Sequence, residues 1–295
     1  MNDLLEKFEA ERKGIFKNNV IYGVVAGVSI ALSFFLTYVI EFPVAFVGIP
    51  VAIVMVILIV SNTSKFKVKV KDSIVPGMIK NLLGEDAVYE KENGLSLDDA
   101  LAIGIYRYPD RYNLSDYIGA CYNGVPYEMC DVTLEERHVT HDSKGNRHVH
   151  YDTYYKGRVI KIDFQRSLDF VVKIIEGRHF SLFERDFQKV ETEVIEFNDK
   201  FDVFSTNKEK AFYLLTPALI RKMLELEAMY RGSMNFYIDG DYFYVYINDS
   251  IDALEVSVST PIDSKTLDVI RSQIEIGSAI INEFGLDSDK FNENF

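Results

Sequence analysis

Four of the five histidines fall within a stretch of thirteen residues, as His138, His141, His148 and His150. Imidazole is the side chain best suited to proton transfer or metal binding near neutral pH. Between the two histidine pairs lies Asp142-Ser143-Lys144-Gly145-Asn146-Arg147, a run of turn-forming residues that predicts a hairpin. With the turn centred on Lys144-Gly145, His141 stands opposite His148. Alternation along the strands then gathers His141, His148 and His150 on one face, with Asp152 farther along it and His138 pointing away. Three imidazoles on one face suit a divalent metal, so His141, His148 and His150 are the metal ligands this spacing predicts. The competing reading is a solvated tip whose polar face uses histidine, and a one-residue slip of register dissolves the triad.

Other chemistry is sparse. The sequence has no Gly-rich phosphate loop, no His-Glu-x-x-His, no Gly-x-Ser-x-Gly and no Cys-x-x-Cys. No catalytic residue is nominated and no cofactor other than the divalent metal is expected. Asp239/Asp241 and Asp287/Asp289 lack the twelve-residue calcium-loop pattern, and Asp239-Gly240 reads as turn chemistry. Two cysteines, Cys121 and Cys130, are too few for a disulfide scaffold and read as reduced thiols on strands. Tyr242, Tyr244 and Tyr246 would share one strand face, which suits either a core or a protein contact.

The elements that would position these residues alternate irregularly between helix and strand. Ser96 with Asp98 and Asp99 opens a helix running to Tyr106. Residues 116–122 and 125–137 flank Asn123-Gly124, a strong hairpin signal. Further strands are expected over 132–141, 148–155, 158–164, 171–175, 193–197, 201–205, 234–238, 242–247 and 254–258. Helices are expected over 78–83 after Pro76-Gly77, over 208–231 with Pro217 starting a new one, and over 267–284 with Gly285 as its stop. Strands clustered apart from helices predict an α+β domain with an antiparallel sheet.

That domain, residues 61–295, follows two apolar runs. Residues 20–40 contain no charge over 21 positions, about 30 Å of helix, and residues 44–60 contain none over 17. Glu41-Phe42-Pro43 leaves room only for a tight turn, so the runs form an antiparallel transmembrane hairpin preceded by a leader helix over 1–19. Lys7, Arg12, Lys13 and Lys17 precede the first span, while Lys65, Lys67, Lys69 and Lys71 follow the second. The connector has no Lys or Arg, which places both termini in the cytoplasm, with the hairpin in the inner (plasma) membrane. No Asp, Glu, Lys, Arg or His lies within either span, which argues against an ion or substrate path. Gly23, Gly27 and Ala31, and Gly48 with Ala52, form small-residue faces for packing the spans on each other or on a second copy. Only five of the 45 acids (Asp3, Glu6, Glu9, Glu11 and Glu41) and four of the 32 bases lie in the first 60 residues. Most of the net charge of −13 therefore belongs to the soluble part, and a domain so acidic is not expected to bind nucleic acid.

The segment from Ser181-Leu182-Phe183-Glu184 through Phe197-Asn198-Asp199-Lys200-Phe201-Asp202-Val203 to Leu215-Thr216-Pro217 resembles a bacterial membrane-protein family catalogued as domain of unknown function 3137. Asp116-Tyr117-Ile118-Gly119 and Tyr155-Lys156-Gly157 are also similar to its pattern. The resemblance covers nearly the whole chain and implies a charged leader, two adjacent spans and a cytoplasmic domain. It supplies no catalytic residue. The function expected on these grounds is a membrane-anchored binding or scaffolding module, with the bilayer and either a protein partner or a second copy as its contacts. The alternative is a metal-dependent enzyme or small-ligand sensor using the His-rich hairpin over 138–150.

Overall fold

A computed structural model describes residues 2–40, 45–164, 167–177 and 186–287. The expected turn at Glu41-Phe42-Pro43 lies outside the described residues, as do Ser181 to Glu184, Asp289 and the polar tail from residue 288. The chain divides into two units, Met1–Met78 with Leu254–Gln273, and Ile79–Ala253 with Ile274–Phe295. Together they make an α+β protein, with two long apolar helices preceding an antiparallel sheet.

The first unit is built on α1 (Asn2–Ile40) and α2 (Ala45–Leu83). Both are long and apolar enough to cross a membrane by length and composition, and only 11% of each apolar window is buried. Val24, Val28, Phe34 and Phe35 on α1, and Ile53, Val56 and Ile57 on α2, face outward. A core hairpin of a water-soluble protein would bury these side chains. The two helices meet at small residues: Ser29 Oγ donates to the Gly48 carbonyl at 3.4 Å, and Ala26, Ser33 and Ala52 are buried. A Cβ on Gly48 would lie 2.5 Å from the Ser29 carbonyl oxygen and would overlap the Ser33 side chain. Gly23 and Gly27 have nothing within 4 Å of that position. The contact face of α1 is thus the serine face, not the expected Gly23, Gly27 and Ala31 stripe.

Past the apolar zone α2 runs on without a break, so no separate helix starts at Met78. Pro76 removes one intrahelical hydrogen bond, and burial of Phe66, Val70, Ile74, Val75 and Met78 along this stretch offsets that loss. In the same unit Arg12 donates to the Val258 carbonyl at 2.7 Å, and Glu9 Oε2 accepts from the Ile262 amide at 2.9 Å. Lys67 bonds Glu255 at 2.6 Å, and Lys69 bonds Glu11 at 2.7 Å. Residues 254–258, expected as a strand, are irregular. Leu254, Val256 and Val258 are buried in alternation, as in a strand. Alternate burial only requires a surface beneath the chain, whereas a strand also needs a ladder partner.

The second unit holds a nine-stranded antiparallel sheet among the described residues, ordered β1-β2-β3-β4-β9-β8-β5-β7-β6. The strands are β1 (Val88–Glu90), β2 (Arg111–Tyr122), β3 (Val125–His141), β4 (Arg147–Asp163), β5 (Val171–Glu176), β6 (Gln188–Val190), β7 (Phe201–Ser205), β8 (Ser233–Asp239) and β9 (Tyr242–Asn248). Asn123-Gly124 turns β2 into β3 with both residues at positive φ, 49° and 86°, as a two-residue hairpin requires. Gly157 sits where a side chain would collide with the Ile247 carbonyl of the neighbouring strand.

Helices cover both faces of the sheet. On one, α3 (Leu97–Leu101), capped by Ser96, lies in a cluster with Ile103, Cys130, Val159, Tyr244 and Tyr246. The tyrosine face is therefore largely core, since Tyr244 and Tyr246 are buried while Tyr242 is more than a third exposed. On the other face, α8 (Ile276–Phe284) sets Gly277 against the Tyr127 ring, and Tyr127 and Ser278 share a 2.9 Å hydrogen bond. The expected long last helix is broken near Glu275 into α7 (Ser264–Ile274) and α8, with Gly285 in the left-handed conformation as the stop. Pro217 does start a helix, α6 (Pro217–Ala228), after α5 (Lys208–Leu214).

Residues 193–197, expected as a strand, lead into α4 (Ile195–Lys200). Asn198 is the cause: its side chain accepts from the Thr192 amide at 3.0 Å and donates to the Thr192 carbonyl at 2.8 Å. Local side-chain bonds of this kind coil the backbone and compete with a ladder.

Candidate functional site

The hairpin of β3 and β4 is longer than expected, and its register differs from the expected one. Thr140 pairs with His148 and His138 with His150, while His141 stands opposite Arg147. Directly opposed residues share a face, so His138, His148 and His150 lie on one face and His141 on the other. The expected set of His141, His148 and His150 is therefore split. The turn explains the slip. Asp142 accepts from the amides of Lys144 and Asn146, both at 2.8 Å, and its own amide bonds the Asn146 carbonyl at 3.0 Å. Asp142 thus pairs with Asn146 across a turn of residues 143–145, and the turn is centred on Lys144, half a residue earlier than the midpoint of Lys144-Gly145.

A second cluster brings carboxylate oxygens of Asp116, Asp131 and Asp252 within 4.8 Å of one another. Asp116 sits at a register shift of β2 with φ 58°, and it accepts from the Tyr89 hydroxyl at 2.7 Å. A cation is already built in here. Arg158 Nε donates to Asp131 Oδ1 at 2.9 Å from a fully buried position, and Asp131 and Asp116 both favour its charged form. The chemistry of this trio is that of a buried ion network.

The third candidate is a groove of about 490 Å³ between residues 83–88 and the strands β2, β3, β4 and β9. Tyr117, Cys121, Glu128, Lys161, Asp163 and Tyr242 line it. Tyr117 donates to Glu128 Oε1 at 2.5 Å. Burial, then the neighbouring Glu128, pushes that phenol well above its usual range. Lys161 bonds Asp99 Oδ1 at 2.8 Å and stands 4.4 Å over the Tyr242 ring. Asp99 also accepts from Tyr244 at 3.0 Å and from Ser96 at 2.6 Å. Burial works to raise the Asp99 pKa, but the bonds from Lys161 and Ser96 outweigh it and hold the carboxyl below its ordinary value.

Besides Lys161, which bonds Asp99, the charged side chains of the lining are the carboxylates Asp86, Glu128 and Asp163. Such a lining, with three tyrosines, favours a ligand that carries positive charge and flat apolar surface. Sequence reasoning missed this site because its residues come from five separated segments. Its visible trace was Lys161 and Asp163 alternating with Ile160 and Ile162 in an otherwise apolar run.

Residues 153–286 match the model of a family described as "Protein of unknown function (DUF3137)". The match covers β4 to the last helix, a shorter stretch than the resemblance implied. No curated protein matches the sequence. The crystal structure of the mycobacterial trehalose monomycolate transport factor A, TtfA, aligns over 70% of this chain and 92% of its own at 10% identity. Its TM-score is 0.35, too low to carry an argument about this protein.

Proposed function

We propose that this protein is a membrane-anchored, non-enzymatic docking module whose groove receives a basic segment of a partner protein. The anchoring reading is supported by the outward-facing apolar side chains of α1 and α2. Lysine and arginine cluster before residue 20 and after residue 64, with none between, which favours both ends on the cytoplasmic side of the plasma membrane. The observation that carries the docking reading is the groove itself, with tyrosines and an excess of carboxylates in a strongly acidic chain. Like potentials would repel nucleic acid from it, and opposite potentials would steer a basic polypeptide toward it.

The test uses the full chain in lipid nanodiscs and a fluorescent lysine-rich peptide as probe. Saturable binding should weaken roughly tenfold or more in Glu128→Lys with Asp163→Lys, in line with the repulsion that like charges impose at an interface. Glu209→Lys, on an exposed turn of α5, should leave it nearly unchanged. Equal weakening by both variants would show general charge attraction and overturn the docking reading.

A further inference from the structure

The register of the β3–β4 hairpin assembles a donor set that its sequence spacing concealed. His138 and His150 are directly opposed, and Glu136 is opposed to Asp152 two residues away on the same face. The two imidazoles stack with ring centroids 5.4 Å apart and planes 23° from parallel. Both direct Nε2 toward one oxygen, Asp152 Oδ2, at 3.4 Å from His138 and 3.8 Å from His150. Glu136 Oε2 stands 3.7 Å from His138 Nε2.

We propose that His138, His150 and Asp152, with Glu136 as a fourth donor, bind a divalent transition metal of the zinc class at the tip of this hairpin. Ligand atoms about 2.05 Å from a tetrahedral ion lie roughly 3.3 Å from one another. The two distances to Asp152 Oδ2 exceed that edge by a few tenths of an ångström. His150 and Asp152 are exposed and Glu136 and His138 half-exposed; the donors of His138, His150 and Asp152 do not all lie within 4.8 Å of one another, and side-chain rotation on this hairpin, away from the core, brings them together. Two neutral imidazoles and two carboxylates carry a charge of −2, which balances a divalent ion. Imidazole nitrogen selects zinc, cobalt or nickel over calcium and magnesium, which take oxygen.

The backbone holds these donors in place. Asp142 closes the turn through the Lys144 and Asn146 amides, and Gly145 supplies the left-handed residue, at φ 82°, that this turn needs. That turn fixes the register, and the register decides which histidines share a face. His148 lies on the same face but pairs with Asp142 at 3.5 Å, toward the turn. His141 is on the opposite face and serves as an internal control.

The experiment uses the full chain in detergent, purified without a polyhistidine tag, stripped with a chelator and titrated with Co²⁺, then with Zn²⁺ as competitor. The proposal expects one equivalent of Co²⁺ with visible d–d absorption, displaced by Zn²⁺. His138→Ala, His150→Ala and Asp152→Asn should each weaken binding about tenfold or more, and His141→Ala should leave it unchanged. Unaltered melting of each variant confirms that the fold is intact, as the exposed positions predict. A titration without saturable absorption overturns the proposal. So does a loss in His141→Ala equal to that in His150→Ala, because the register would then be wrong.

Discussion

Asp131 and Arg158 face each other across β3 and β4, and one carboxylate oxygen, Asp131 Oδ1, receives the guanidinium through Nε at 2.9 Å and lies 2.8 Å from its Nη2. Asp131 Oδ2 also accepts from the Ala253 amide at 3.3 Å, which ties the two central strands to the chain after β9. The Arg158 charge is shared, because Asp116 adds to the attraction of Asp131. Removing the cation therefore leaves several acids in a buried setting, while neutralising Asp131 leaves the cation with Asp116.

Arg158→Met should accordingly destabilise the fold more than Asp131→Asn does. Breaking a buried ion pair costs roughly 3–5 kcal/mol, which is the loss expected for Arg158→Met. Asparagine at 131 keeps an acceptor for Nε and should cost about 1–3 kcal/mol. Denaturant melts followed by circular dichroism check the order, since the chain has no tryptophan. Equal costs, or a stable Arg158→Met, would mean that the carboxylates do not depend on this cation.

Gly48 is the close-approach point of α1 and α2, so Gly48→Leu should separate the helices. Overpacking of this kind costs about 1–3 kcal/mol, read as a lower melting temperature in detergent. Gly23→Leu and Gly27→Leu place side chains in open space and should not move that temperature. If the α1 glycines prove as sensitive as Gly48, a second copy packs on them.

The legible parts of this molecule were those that local sequence decides. Charge-free runs mark α1 and α2 because no other arrangement tolerates so much uninterrupted apolar surface. Asn123-Gly124, Thr216-Pro217 and Gly285 fix a hairpin, a helix start and a helix end through backbone conformations that few residues adopt. Partner-dependent features stayed hidden. Residues 254–258 alternate in burial like a strand but are irregular, and 193–197 coil because Asn198 bonds back to Thr192. The histidine register turned on one side chain, Asp142, which closes the turn half a residue from its expected centre. The groove was invisible because residues 83–88, β2, β3, β4 and β9 each contribute only one or two of its polar groups.

The two cysteines should differ sharply in reactivity. Cys121 is exposed at the groove, whereas Cys130 is fully buried and accepts from the Leu95 amide at 3.4 Å. Burial pushes the Cys130 thiol up to about 12, so almost no thiolate is present near neutral pH to attack an alkylating reagent. Intact-mass analysis after maleimide treatment should show one adduct on the native chain and two in denaturant. Two rapid adducts on the native chain would mean that the cover over Cys130 opens on the labelling timescale.

Glu176 offers a pH signature. Burial, followed by the proximity of Glu227, raises its carboxyl above the ordinary value of 4.5, against lowering by the Met234 amide and Lys200. The folded chain therefore holds this proton more tightly than the unfolded chain does. Its stabilising contribution is full below pH 4.5 and is lost as pH rises through the higher folded value. Glu176→Gln carries no charge at any pH and can still accept from the Met234 amide. Its stability relative to the parent should be near parity at pH 4 and should rise over the interval above pH 4.5 in which the parent carboxyl ionises. Thermal melts of both proteins across that interval decide the matter. A difference that is flat with pH, or that falls as pH rises, would mean that Glu176 is already ionised in the fold at acid pH and that Lys200 rather than burial governs it.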